Sequence, residues 1–186
     1  MKIYIKSMVS LRCKMLVKDE LTNLGLHCVS VELGMVEIHE EIQSIQLLHL
    51  NENLLKAGLE VLDDKRSILV ERIKVLVIEM VHYSDEIPKG NFSQYIAEKL
   101  DHKYTYLSHL FAEVNGITIG KFIGKHKIEK VKELLLYDEL NISEISYKMN
   151  YSSVAHLSNQ FKKATGLTPS HFKELKKQRE LSLEFV

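Results

Sequence analysis

The sequence predicts an α+β chain, with a small sheet-bearing part first and an all-helical part after it. Three observations predict this. Over residues 1–64, apolar and polar side chains alternate in four short runs, KIYIKSM, HCVSVEL, MVEIHE and LEVLDD, and alternation at period two marks half-buried strands. Beyond Asp64 no such run recurs, and apolar residues return at helical spacing. The third observation is a repeat. LSHLFAEVNGITIGKF from Leu107 and LSNQFKKATGLTPSHF from Leu157 both fit L-S-x-x-F-x4-G-[IL]-T-x3-F at an offset of 50 positions. Seven agreements at one offset mean one supersecondary unit used twice.

Taken in order, KIYIKSM is the first strand. Cys13 to Leu24 follows as a helix with Leu16, Val17, Leu21 and Leu24 on one face, closed by Gly25. HCVSVEL and MVEIHE flank Gly34 as a hairpin, and a helix from Ile42 to Ala57 leads through Gly58 into LEVLDD. The order β-α-β-β-α-β is that of a ferredoxin-like sandwich. Ile68 to Val81 is the most apolar stretch, but Glu71, Arg72, Lys74 and Glu79 interrupt it. It is too short and too charged to span a bilayer, and it predicts a buried amphipathic helix opening the second part. A helix from Thr118 to Tyr137 has Phe122, Ile123, Ile128, Val131, Leu134 and Leu135 for burial.

Ser143 to Phe172 organises the rest. It holds an amphipathic segment with Ile145 and Met149, a turn at Asn150-Tyr151-Ser152, and a second segment with Leu157 and Phe161 ending at Gly166. Two short helices about a tight turn, the second dotted with small polar side chains and carrying Lys162-Lys163, suit a helix-turn-helix presented to DNA. In both copies of the repeat a glycine, Gly116 or Gly166, supplies the left-handed stop. Thr118 and Thr168 are the next N-caps, and Pro169 sits at a first helical position. The expected organisation is a ferredoxin-like βαββαβ domain over 1–64, an all-α double helix-turn-helix domain over 65–178, and a frayed tail over 179–186.

Zero net charge hides an asymmetry: Met1–Pro88 carries ten basic and fourteen acidic residues, Lys89–Val186 fifteen and eleven. The half with the helix-turn-helix pattern is the basic half, as attraction to phosphate requires. Two distant cysteines form no disulfide framework and suit a reducing cytoplasm. MKIYIK lacks the apolar core of a signal peptide, so a cytoplasmic chain with no membrane segment is expected. No nucleophile-base constellation, phosphate loop or paired carboxylates point to an enzyme.

On Ser146, Asn150-Tyr151, Phe161-Lys162, Gly166, Thr168-Pro169 and Phe172-Lys173, the stretch from about Ile68 to Lys176 resembles the DNA-binding domain of the AraC family of bacterial transcription regulators. Ser146 stands where that family usually has Ala, and Asn150 where it usually has Gly. Both changes are mild, since Asn tolerates positive φ. The resemblance implies two helix-turn-helix units joined by a long helix, reading double-stranded DNA. Carried over by position, the base-facing residues are Thr105, Tyr106, Ser108 and His109 in the first unit. Those of the second are Ser153, Val154, Ala155 and Asn159, with His156 at the margin. Asn159 suits adenine, Val154 and Ala155 a thymine methyl, and His109 guanine. The absence of arginine among them implies modest affinity per unit and reliance on dimerisation or backbone contacts. Phosphate contacts are expected from Lys121, Lys125 and Lys127 on the joining helix, and from Lys162, Lys163, Lys173 and the amides after Thr168. A rigid joining helix would set the two reading helices one DNA turn apart, ~34 Å.

The first part also carries a resemblance. Met8-Val9-Ser10-Leu11-Arg12-Cys13 and Leu55-Lys56-Ala57-Gly58-Leu59-Glu60-Val61 are similar to the heavy-metal-associated domain of copper chaperones and copper-pumping ATPases, which carries Met-x-Cys-x-x-Cys. That family implies Cu(I) or another soft metal at the Met8–Cys13 loop. Here Ser10 replaces one thiolate ligand, and a hard neutral hydroxyl is a poor substitute. Cys13 would need Met8, Met15, an external thiol or another molecule's Cys13, so loss of metal binding in favour of dimerisation or packing is the stronger reading. Cys13, flanked by Arg12 and Lys14 at a helix start, is expected to be the more reactive cysteine. Cys28 is expected to pack in the core. A copper carrier whose helical half binds a protein partner is the alternative, and Ser10 speaks against it.

Overall fold

The computed structural model describes residues 1–84, 92–137 and 139–175; the expected tail over 179–186 lies outside them. Over the described residues the chain packs as two units, Met1–Leu76 with Ile96–Val114, and Val77–Tyr95 with Asn115–Val186.

In the first unit, β1 (Lys2–Lys6), β2 (Cys28–Glu32), β3 (Met35–Ile38) and β4 (Glu60–Leu62) form one sheet in the order β2-β3-β1-β4, antiparallel at every pairing. Ile3 lies opposite Val36 and Ile5 opposite Val61. The alternation puts Ile3, Ile5, Val36 and Ile38 into a core with Val17 and Leu21 of α1 (Leu11–Asn23) and Leu50 and Leu54 of α2 (Ser44–Lys56). Each such side chain contributes about 1.5–3 kcal/mol by leaving water. Cys28 packs against the edge of this core, as expected.

Several element ends differ from the sequence reading, and local hydrogen bonds explain two of them. α1 starts at Leu11 rather than Cys13 because Ser10 is its N-cap, its Oγ accepting from the Cys13 amide at 3.3 Å. β4 stops at Leu62 because Asp64 caps the next helix, α3 (Lys65–Ile78), where the Ser67 amide donates to Asp64 Oδ2 at 2.7 Å. α3 is largely buried, at Leu69, Val70, Ile73, Val75, Val77 and Ile78, and keeps Lys65, Arg66 and Arg72 exposed, in line with the buried amphipathic helix expected there. Nor does it run on to Val81. A π-helical turn, Glu79–Tyr83, takes over and buries Met80 and Val81.

Two contacts fix α3 to the sheet. Buried Glu71 accepts from the Ser7 amide at 2.7 Å and pairs with Lys74 at 3.3 Å. Gly34, at φ +70° in the hairpin, leaves room for Val75, whose Cγ2 would lie 2.7 Å from any Cβ added there. Two further helices follow, α4 (Phe92–Leu100) and α5 (Tyr104–Asn115), with Ile96, Leu100, Leu107, Leu110 and Phe111 buried.

In the second unit α6 (Ile119–Tyr137), α7 (Ile142–Lys148) and α8 (Val154–Thr165) pack on one another, and α6 also packs on the π turn. Ile123, Val131, Leu135, Ile145, Met149, Leu157 and Phe161 are buried. Phe161 meets Phe172 edge to face at 5.4 Å, seating a helix that begins at 169 and is described to 175. Among the described residues no helix is long and apolar enough to cross a membrane.

Candidate nucleic-acid interface

The repeat is repeated in geometry. Between α4 and α5 the chain turns at Asp101, φ +54°, with the His102 amide bonded to the Ala97 carbonyl at 3.1 Å. Between α7 and α8 it turns at Asn150, φ +51°, with the Tyr151 amide bonded to the Ser146 carbonyl at 2.9 Å. Each turn therefore uses one left-handed residue and one bond reaching five residues back. Asp and Asn are the side chains besides Gly that adopt this conformation most readily. The two second helices end alike as well, with Gly116 at φ +67° and Gly166 at φ +80°. Thr118 Oγ1 then accepts from the Lys121 amide at 3.2 Å, and Thr168 Oγ1 from the His171 amide at 3.3 Å. The expected stops and caps are therefore in place.

On α8, Leu157 and Phe161 point inward while Ser153, Val154, Ala155, His156 and Asn159 are exposed. Ser153 is the N-cap, its Oγ accepting from the His156 amide at 3.1 Å. The His156 ring is held on two sides: Nδ1 lies 2.9 Å from Ser152 Oγ, and the Tyr151 ring meets it edge to face at 5.4 Å. Ser152 and Tyr151 are thus functional candidates that the repeat pattern did not single out. Lys162 and Lys163 are exposed in the last turn, and no acidic residue sits in the first.

On α5, Leu107 and Phe111 point inward, Thr105, Tyr106 and His109 are exposed, and Ser108 is half-buried with its Oγ donating to the Thr105 carbonyl at 3.0 Å. The Tyr106 ring stacks on His102 at 5.9 Å, and His102 Nδ1 lies 2.7 Å from the Leu100 carbonyl oxygen. The structure brings each group of expected reading residues onto the outer side of its own helix.

Of the expected phosphate-binding lysines, Lys121 and Lys125 are exposed on α6 and Lys173 is half-buried. Lys127 requires correction. It is only 7% exposed, with Nζ donating to the Asn150 carbonyl at 3.4 Å and lying 4.6 Å from the centre of the Tyr151 ring. Desolvation pushes its ammonium down to about 8. The sequence held the signal: Ile119, Ile123, Lys127, Val131 and Leu135 fall four apart along one helix, and all five are buried.

The Met8–Cys13 loop does not fit a soft metal ion. Met8 is sealed in the core, and the Ser10 hydroxyl accepts from the Cys13 amide and donates to Cys13 Sγ at 3.2 Å, so it is engaged inside the loop. That leaves Cys13 as the one thiol of the loop. Met15, the other sulfur named above, is exposed. Among the described residues no three His, Cys, Asp or Glu side chains converge on a metal position.

A protein-family model described as a helix-turn-helix domain matches residues 96–175. The xylose operon regulatory protein of Escherichia coli K12 is 31% identical over 100 residues, which are 53% of this chain and 26% of that protein. The C-terminal domain of AraT, a response regulator from Geobacillus stearothermophilus, superposes with a TM-score of 0.50 at 29% identity, covering 60% of this chain and 88% of that one. Residues 96–175 are a helix-turn-helix domain. An uncharacterised helix-turn-helix transcriptional regulator of Bacillus subtilis, YtdP, is 22% identical over 161 residues, 82% of this chain but 21% of its own length. The chain thus spans about a quarter or less of the curated relatives described here. These relatives are a transcriptional regulator and an operon regulatory protein.

Proposed function

We propose that this chain is a bacterial, cytoplasmic transcription regulator that reads adjacent major grooves of double-stranded DNA with its two helix-turn-helix units. The observation that carries the proposal is the outer face of α8. A helix anchored by Leu157 and Phe161 offers a cap serine, two small apolar side chains, an oriented imidazole and Asn159 to solvent, with Lys162 and Lys163 beside them. In this reading Asn159 pairs with adenine, and Val154 and Ala155 meet a thymine methyl. His156 and Ser153 flank them, and Thr105, Tyr106, Ser108 and His109 do the equivalent work on α5. Lys121, Lys125, Lys162, Lys163, Lys173 and the amides after Thr168 hold phosphates.

The functional division follows the sequence, with a sheet domain over 1–64, the DNA-binding domain over 65–178 and a tail. The strand order β2-β3-β1-β4 with two crossing helices supports a ferredoxin-like description of the first domain. We assign it pairing between chains rather than metal sensing. Leu11 and Met15 on α1 and Ile45, Leu48 and Leu55 on α2 are exposed apolar side chains, which favours a homodimer. Sedimentation of the intact chain as a monomer at micromolar concentration would remove that part.

Selection from a pool of randomised duplexes tests the reading. One enriched motif is expected, bound with an affinity that falls steeply with salt, each neutralised phosphate adding about 0.9 to the log–log slope. Failure to enrich any duplex would contradict it.

A further inference from the structure

Lys127 sits on the buried stripe of α6, where the flanking positions are Ile123 and Val131. A cation there loses most of its water and needs compensating partners. Among the described residues no carboxylate pairs with it, whereas its neighbours on the helix, Lys130 and Lys132, pair with Glu133 and Glu129. Its Nζ instead meets the carbonyl of Asn150, the left-handed residue of the second turn, at 3.4 Å. The rings of Tyr151 and Phe92 lie beside it at 4.6 and 5.5 Å, distances at which a ring face attracts an ammonium. Tyr151 in turn meets His156 on the outer face of α8.

We propose that Lys127 is a positioning residue for DNA recognition: reaching from α6, it clamps the Asn150 carbonyl and the Tyr151 ring and so fixes the turn from which α8 and His156 are presented. The proposal rests on the DNA-reading function for its consequence, but the clamp itself is a property of the free protein. Packing alone would be satisfied by methionine, which has nearly the same length and no charge. The clamp would not, because it needs a donor at the end of the chain.

The test compares the intact native chain with Lys127→Met and Lys127→Arg. Amide hydrogen exchange is followed across 149–156, and anisotropy is measured with a labelled duplex selected by the native chain. Lys127→Met is expected to fold with a melting temperature no lower than that of the native chain, speed exchange in the turn about tenfold and weaken duplex binding about tenfold, while Lys127→Arg restores both. Unchanged exchange and unchanged binding in Lys127→Met would overturn the proposal. If the native chain selects no duplex, the DNA-reading function fails and the exchange comparison still decides the clamp. A measurement on the native chain covers the case in which Lys127→Met does not fold. Acetylation by an amine-reactive ester should modify Lys127 far more slowly than Lys121 and Lys125, and equal rates would show its ammonium free in solvent.

Discussion

Lys127 makes a prediction about stability as well as about binding. Its folded-state value is pushed down to about 8 by desolvation, from 10.5. Between those values the unfolded chain holds the proton and the folded chain does not, so stability rises with pH across this window. The gain is at most about 3 kcal/mol, and the full penalty applies below pH 8. Denaturant titrations at pH 7.5 and 9.5 should show this rise in the native chain and lose it in Lys127→Met; equal rises in both would contradict the assignment. Gly34 is the other residue whose environment dictates its identity. Gly34→Ala combines positive φ with a 2.7 Å contact to Val75 Cγ2 and should cost about 1–3 kcal/mol in thermal melts. Single residues were legible where their chemistry is local. Ser or Thr before a helix and Gly after one announce caps and stops, and Thr118, Thr168, Gly116 and Gly166 do what their types imply. Ser10 follows the same local rule as the N-cap of α1, although it also stands at a ligand position of the heavy-metal-associated pattern. Lys127 is the exception, because its place in a stripe of buried residues four apart outweighs the surface position that its charge implies.

At the scale of elements, the repeat and the alternation foretold most of the helices and strands, since each buries one regular face. The π turn at Glu79–Tyr83 was not legible. Its helical periodicity looks ordinary in sequence, and its partners come from α6, more than forty residues away. There His82 Nε2 and His126 Nδ1 lie 3.1 Å apart, with the Phe122 ring 4.5 Å from that of His126. Desolvation lowers the affinity of both imidazoles for protons; Lys130 lowers that of His82 further, while Glu133 and Glu129 oppose the shift. A folded-state value below 6.5 means that the unfolded chain binds more protons as pH falls through that value, so acid destabilises this contact. Melts between pH 7.5 and 5 should show a loss that His126→Phe reduces; an equal loss in the variant would exclude the pair as its source. The caps of the second helix-turn-helix make a simpler case. Asn141 Oδ1 accepts from the Glu144 amide at 3.0 Å, and Glu144 Oε2 accepts from the Asn141 amide at 2.7 Å. Asn141→Ala should cost about 1 kcal/mol in thermal melts, and an unchanged melting temperature would show the capping box to be idle.

For the whole molecule, the basic C-terminal half and the polar outer faces of α5 and α8 make one functional statement. If Lys162 and Lys163 hold phosphates, replacing both with alanine should reduce the salt slope of binding by about 2 and weaken all sequences alike. Replacing Asn159 should leave the slope intact and relax preference at one base pair, at a cost of about 1–3 kcal/mol for the preferred duplex. The most direct measurement is hydroxyl-radical footprinting of the native chain and Asn159→Ala on the selected duplex. Two protected stretches one helical turn apart for each bound chain are predicted, with protection at just one of them weakened in Asn159→Ala. A single protected stretch per chain, or a footprint indifferent to Asn159, would contradict the account.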